Sequence, residues 1–300
     1  MDLVDSPLPS ADARRTNGAA VTEGRRVGWI DRRIEQAETG TRNRRWYGGL
    51  SAAVGVVALW WLVSAFGGFS HSLLPTPGQV VQAFQQSVTT RSGQPGLLGS
   101  HLWQHLGASF RRVLIGLALG IVLGIPLGLS LGLSRVADRV LGPVVDFIKA
   151  LPPLGYYPLL ILWFGITDTS KIWLLFLASF APIAISTAAG VAGVRNERVA
   201  AVLVLGAGRV DMVTKVVLPH VAGDIVTGVR VASGFAWTTI VAAETINGLP
   251  GLGGLAWASQ KELRADVAIL SIIVIGVTAV ASDALLRAVE RLVAPWKGRA

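Results

Sequence analysis

This chain of 300 residues contains no cysteine. Disulfides, thiolate metal sites and cysteine nucleophiles are therefore excluded. Charge is also scarce: 15% of residues are Asp, Glu, Lys or Arg, against about 25% in soluble chains. Histidines are few. His71, His101, His105 and His220 all lie outside the long apolar runs, and no His or carboxylate grouping has metal-ligand spacing. No G-x-x-x-x-G-K-[ST] phosphate loop is present, so ATP is not bound by that means. Gly128-Leu129-Ser130-Leu131-Gly132 fits the pattern G-x-S-x-G. That motif needs a strand-turn-helix elbow and a base within reach, and here it sits in an apolar helical run. An enzyme is not expected.

What the chain does have is hydrophobic length. Hydrophobic residues make up 52% of it, and they cluster into runs long enough to cross a bilayer, which takes about 20 residues of helix. Six runs qualify: Tyr47–Phe66, Val113–Leu133, Val140–Gly165, Ile172–Val194, Ile225–Ile246 and Val267–Leu286. The reading is an all-α integral membrane protein with six spans. The net charge of +9 is concentrated in arginines ahead of the first run, a pattern that favours a membrane flank over nucleic acid. Residues 1–45 read as a basic cytoplasmic tail, disordered or a weak amphipathic surface helix, and residues 46–300 as the membrane domain. The first apolar run starts too late and is too long for a cleaved signal peptide.

Placing the N-terminus inside puts nineteen basic residues on the cytoplasmic side and six outside, which obeys the positive-inside rule and puts both termini in the cytoplasm. Arg111 and Arg112 fit this count least well and are expected at the outer interface. The second span carries Gly116, Gly120, Gly124, Gly128 and Gly132, one every four residues. Such a stripe lets another helix approach closely. Ala178, Pro182, Ser186 and Gly190 repeat the idea in the fourth span, and Gly228, Ala232 and Ala236 in the fifth. The third span contains Pro152, Pro153 and Pro158, and cannot be one straight helix. Broken backbone at membrane depth survives against protein or a water-filled cavity, so Pro152 and Pro153 are candidates for the translocation path; the alternative is a cytoplasmic connector leading into a short helix. Glu244, near the outer end of the fifth span, either lines or gates that path, or is an interfacial residue paired with Lys261 or Arg264. Lys149 is expected at the cytoplasmic mouth, snorkelling or attracting an anion. Asp283 and Arg287 stand four apart and read as a helix-surface pair.

The loop from Arg195 to Pro219 is too polar to span and too apolar for a free linker. It predicts a short helix over 195–205, a turn at Gly206-Ala207-Gly208, and a second helix over 209–217 stopped by Pro219. Gly206 is expected at a positive φ or a close backbone approach. Val199, Val202, Leu203, Met212, Val213 and Val216 give these helices apolar faces, which want a groove in a partner or the membrane surface.

The loop resembles the ATPase-coupling loop of binding-protein-dependent ABC permeases, whose pattern is E-A-A, three residues, Gly, nine residues, Ile, one residue, Leu-Pro. Gly206 is followed after nine residues by Val216, Val217, Leu218 and Pro219, in register. The family glutamate falls at Ala200; Ala201 keeps one alanine and Val202 takes the place of the other. The resemblance covers about residues 45–298. Within the family it is strongest toward taurine permeases, with alkanesulfonate and nitrate permeases close behind. That branch rests on His101 to Leu106, Pro152-Pro153-Leu154, Leu162 to Ile166, Thr169 to Ile172, Phe180-Ala181-Pro182, Val241 to Glu244 and Pro295 to Gly298.

The resemblance implies a type I importer permease fold, MetI-like, in a bacterial inner membrane, working as a homodimer. It implies two copies of a cytoplasmic ATPase that bind the ATP, an external substrate-binding protein, and no cofactor in this chain. The coupling residues would be Ala200, Ala201, Gly206, Val216, Leu218 and Pro219, and the cargo a small organic anion, most like taurine. The competing class is a secondary transporter driven by an ion gradient. It would need intramembrane acids, for which Glu244 is the one candidate.

Overall fold

The structure is a computed structural model. It describes residues 51–68, 70, 72–91, 94–246 and 248–295. The N-terminal tail expected over 1–45, the start of the first span at Tyr47 and the stretch Trp296–Gly298 lie outside the described residues. The chain divides into two compact units, Met1–Gly67 and Gly68–Ala300. The described part of the first is one apolar helix, α1 (Ser51–Phe66), in which Trp61 and Phe66 meet edge to face.

The second unit is almost wholly helical. It opens with α2 (Pro77–Val88), started by Thr76 and Gln79 in a reciprocal capping box with Pro77 in its first turn. A hairpin of two residues per strand, Thr90–Arg91 (β1) with Gln94–Pro95 (β2), is the only sheet among the described residues. The long helices follow: α3 (Leu102–Leu133), α4 (Arg135–Ala150), α5 (Pro153–Phe164) and α6 (Asp168–Ala192). The loop helices α7 (Asn196–Val204) and α8 (Arg209–Met212) lead through a π turn over Val213–Val217 into α9 (Leu218–Glu244), and α10 (Leu252–Lys261) and α11 (Ala265–Val293) close the unit.

Four of these are long and apolar enough to cross a membrane: α3, the continuous helix Arg209–Glu244, α6 and α11. The pair α4 and α5 passes only jointly, bent by 97°. The third span is thus broken where the prolines require it. Leu151 ends α4, Pro152 is extended at ψ 128° ahead of α5, and Pro153 supplies the first residue of α5. A proline there lacks only an N–H that would be unpaired in any case.

The core is built on α3, α6 and α9. The glycine stripe of α3 lies on α6. A Cβ added at Gly120 would stand 2.9 Å from the Ser179 Cβ, one at Gly124 3.1 Å from Ile183 Cγ2, and one at Gly128 2.6 Å from the Thr187 Cβ. Side chains cannot be accommodated there, so the two backbones touch from Gly116 to Gly132, over about four and a half turns. The second contact, α6 on α9, uses the small residues of those helices: a Cβ at Gly228 would meet Ser186 Cβ at 2.6 Å. Leu117, Ile183, Val191, Val221 and Ile225 fill the space between the three helices. Outward the helices are apolar and exposed, as at Val122 of α3, Leu162 of α5 and Ile272 and Val280 of α11, a surface suited to hydrocarbon.

Two expectations are corrected. The second span starts eleven residues earlier than the apolar run, at Leu102 rather than Val113, because His101 and Gln104 cap it, with the Gln104 side chain accepting the His101 N–H at 2.9 Å. And Pro219 stops nothing. It sits in the first turn of α9, inside a helix continuous from Arg209 to Glu244. In a regular helix its ring would crowd the carbonyl of Lys215; the wider π turn over Val213–Val217 lies where that crowding falls.

Candidate functional site

Three features could carry function, and they lie at three levels of the bundle. At one end of the bundle, where α3 and α6 begin and α9 ends, is a buried ionic cluster. The first turns of α3 present His105, Ser109 and Arg112 on one face, and all three are buried, as is Glu244 at the last turn of α9. Arg112 Nη1 donates to Glu244 Oε1 at 2.6 Å and to the Pro250 carbonyl at 3.0 Å. Its Nε donates to Asp168 Oδ1 at 2.8 Å. Asp168, at the start of α6, also takes Arg111 at 2.6 Å, but on the exposed side. Ser109 Oγ lies 2.8 and 2.9 Å from the two carboxylate oxygens of Glu244, and the Gly253 N–H donates to Oε2 at 2.9 Å.

The segment 248–254 is wrapped onto this cluster by its own backbone. The Leu252 N–H donates to Ser109 Oγ at 2.9 Å and the Gly251 N–H to His105 Nδ1 at 3.1 Å. With Nδ1 as acceptor, Nε2 carries the proton toward the Leu97 carbonyl at 3.4 Å. A Cβ on Gly251 would stand 2.7 Å from Glu244 Cδ, so only glycine lets the loop come this close. Two charges taken out of water at this depth require such a full set of partners.

The expected pairing of Glu244 with Lys261 or Arg264 is therefore corrected: its cation is Arg112, while Arg264 pairs with Asp266 at 2.8 Å. Arg112 is buried among these partners, while Arg111 beside it has 65% of its side chain accessible.

At the central level is a cavity of about 290 Å³ lined by Lys149, Pro153 and Tyr156 around the α4–α5 bend, by Pro182 and Ser186 of α6 and by Phe235 of α9. Pro153 and Lys149 thus face one space. Pro152 and Glu244 do not line it, so the three pathway candidates are not brought together. Across α9, on its α11 side, Arg230 bridges Asp283 at 3.0 Å and Glu290 at 2.9 Å, and Arg287 pairs with Asp283 at 2.7 Å. The expected i,i+4 pair of Asp283 with Arg287 is present, but as part of a network that ties α9 to α11. Glu244 is consequently not the one acid at span depth.

At the opposite end is the loop 195–219. Gly206 has φ +83°, with nothing within 4 Å of an added Cβ, so of the two reasons expected for a glycine it is the left-handed turn that applies. The Gly206 N–H closes on the Leu203 carbonyl at 3.0 Å and the Ala207 N–H on Val202 at 3.2 Å, a C-terminal cap of α7. Ala200, Ala201 and Leu218 are exposed, Val216 is half-buried, and Val217 beside it is buried. The apolar face differs from expectation: Val199, Val202, Met212 and Val213 are half-buried, while Leu203, Val204, Leu205 and Val210 stand exposed around the turn, Val204 at 87%. Four large apolar side chains at one loop tip form a patch that a partner or a membrane surface would cover.

Comparison with known proteins gives the class. Residues 120–295 match the family described as binding-protein-dependent transport system inner membrane component, and the chain belongs to that family, as a permease subunit of ABC importers. Among its relatives, the taurine transport system permease protein TauC of Escherichia coli is 38% identical over 81% of this chain and 87% of its own length. An aliphatic sulfonates transport permease protein SsuC of Escherichia coli is 37% identical over 81% and 89%. The nitrate import permease protein NrtB of Synechococcus elongatus is 29% identical over 80% and 86%. The fold is shared with an inward-facing MetNI methionine ABC transporter structure, with TM-score 0.50 and 19% identity over 63% of this chain and 97% of that one. The expected MetI-like class and the taurine, sulfonate and nitrate branch both agree with these relatives.

Proposed function

We propose that this chain carries a small sulfonate, taurine in the first place, across the bacterial inner membrane as one half of a homodimer. Two cytoplasmic ATPases bind the ATP, and an external binding protein delivers the cargo; no cofactor belongs to this chain. Both termini are cytoplasmic, as the arginine distribution demands. The observation that carries the coupling part of this reading is the exposed apolar tip at Leu203, Val204, Leu205 and Val210. It stands at the end of a helix unbroken from Arg209 to Glu244. Burying such side chains in a partner groove contributes about 1.5–3 kcal/mol each, enough to hold an ATPase against the membrane domain. Ala200, at the place of the glutamate in the coupling-loop pattern this chain resembles, offers no ion pair, which throws the docking onto these apolar contacts. Taurine rests on the branch of relatives, with alkanesulfonate and nitrate as the competitors.

Two experiments test the two halves. Cells with and without the gene, lacking other taurine systems, are given labelled taurine; uptake is expected to depend on the gene, and equal uptake removes taurine as the cargo. For coupling, Gly206→Val is expected to disturb the loop, since a β-branched residue is poorly tolerated at positive φ, whereas Gly206→Asn fits the left-handed region. Co-purification of the ATPase and its substrate-stimulated hydrolysis should fall several-fold in the valine variant and stay near wild type in the asparagine variant. Full retention of both by Gly206→Val would show that this loop is not the coupling element.

A further inference from the structure

Helix α4 turns three faces to three surroundings. Val145 packs in one cluster with Leu131 of α3 and with Ala181 and Ala184 of α6, and Ile148 joins it. Beside this packed face, Val136, Val140, Val144 and Phe147 form an exposed apolar stripe. The third face carries Arg135, Asp138, Arg139, Asp146 and Lys149, which share an arc of about 100° on a regular helix. All five are exposed, and none forms an ion pair with another described residue. The charges of the long helices behave differently: Arg112, Glu244, Arg230, Asp283 and Glu290 are all paired.

The depth of these charges follows from what α4 packs against. Ala184 precedes the end of α6 at Ala192 by eight residues, about 12 Å of helix at 1.5 Å per residue. The second half of α4 therefore lies beside the middle of α6, and is not a helix resting on the end of the bundle. Hydrocarbon suits the apolar stripe there. It does not suit the charged face, because an exposed charge at membrane depth is costly unless it is paired or faces water. Polar surface survives at such depth where it lines a water-filled cavity. The bundle covers α4 from another side, so the far wall of that cavity falls to the second copy of the homodimer, which brings the same face under a two-fold axis.

At the deep end of the charged face lies the cavity of about 290 Å³. Lys149 is the only charged residue that lines it, among apolar walls that include Pro153, Pro182 and Phe235. One cation against apolar walls suits a small organic anion, whose carbon part lies on the wall while its acid group meets the ammonium. We propose that the charged face of α4 lines a water-filled vestibule between two copies of the chain, and that Lys149, at its deep end, contacts the sulfonate group of the cargo. Three cations against two acids leave each copy of this face one charge positive, the sign that admits an anion. The assignment rests on the homodimeric sulfonate reading above and deepens it.

Two measurements on the assembled importer test it. The chain has no cysteine, so single cysteines can be placed directly. Arg139→Cys and Asp146→Cys stand on the charged face, and their sequence neighbours Val140→Cys and Phe147→Cys match them in depth on the apolar stripe. In inside-out vesicles a charged thiol reagent is expected to label the first two at least tenfold faster than the second two. Equal rates overturn the vestibule. In proteoliposomes with the ATPase and the binding protein, Lys149→Gln is expected to lower the rate of labelled taurine uptake about tenfold, the worth of one charge-assisted hydrogen bond. Binding-protein-stimulated ATP hydrolysis should persist in that variant, and Lys149→Arg should keep most of the uptake. Unchanged uptake in Lys149→Gln overturns the role of Lys149, and so does a parallel fall of uptake and hydrolysis that arginine does not rescue. If the wild type takes up no taurine, the substrate reading and the role of Lys149 fall together, while the labelling contrast still decides the vestibule.

Discussion

Glu244→Ala is expected to destabilise the detergent-solubilised protein by about 3–5 kcal/mol, the usual result of breaking a buried ion pair from one side. The carboxylate accepts from Arg112, Ser109 and the Gly253 N–H. Its removal leaves a buried guanidinium beside one remaining anion, Asp168, and strands two further donors. Glu244→Gln should fall between: its carbonyl oxygen still takes Ser109 or Gly253, but its NH₂ must face Arg112. The pair Arg112→Leu with Glu244→Leu should recover part of the loss, since removing both charges removes the desolvation cost with them. Recovery stays incomplete because the Ser109 hydroxyl and the Gly253 N–H remain without an acceptor. Thermal unfolding of the three variants beside the wild type measures this order. If Glu244→Ala melts with the wild type, the cluster does not hold these ends of α3, α6 and α9 together.

Gly128→Leu should have an effect of similar size by a different route. A Cβ there meets the Ala184 carbonyl, which is helix backbone and cannot rotate away, and stands 2.6 Å from Thr187 Cβ. Overpacking usually costs about 1–3 kcal/mol. Here it must displace a whole helix, because α3 and α6 are in contact from Gly116 to Gly132. The expectation is a sharp fall in the yield of folded protein and loss of transport. Gly107, on the same helix with nothing within 4 Å of an added Cβ, is the control, and Gly107→Leu should be mild. Equal tolerance of leucine at Gly128 and Gly107 would mean that the stripe is not a packing surface.

The long spans were legible because hydrocarbon thickness dictates their length and composition, and the break in the third because three prolines permit nothing else. The left-handed turn at Gly206 was legible for the same local reason. The buried ionic cluster was not. Arg111 and Arg112 look alike in sequence, and the apolar run that marks the second span begins only after them. The signal was the spacing of His105, Ser109 and Arg112, four and three apart, which puts them on one helix face once the helix is allowed to start at Leu102. Their partner Glu244 lies 132 positions away from Arg112, and no local pattern links the two. Arg230 was hidden likewise inside an apolar run, although Asp283 and Glu290, seven apart on α11, share the face that receives it. The helix α10 lies in a stretch the sequence reading left unassigned, between the fifth and sixth apolar runs; it forms where Glu244 and Ser109 hold its opening N–H groups.

The π turn before Pro219 has a mechanical meaning. Without it the proline would bend or end the helix beside the loop, and a joint there would absorb any push from below. With it, the 36 residues from Arg209 to Glu244 make one rod, about 54 Å long at 1.5 Å per residue. Such a rod acts as a lever: tilting it by about 5° about its cytoplasmic end would carry the other end sideways by roughly 5 Å, a displacement that follows from the same helical rise. The far end is Glu244, where the only fully buried carboxylate among the described residues is fastened to Arg112. The longest continuous helix among the described residues therefore runs from Val210, beside the exposed apolar tip, to the buried charge of Glu244.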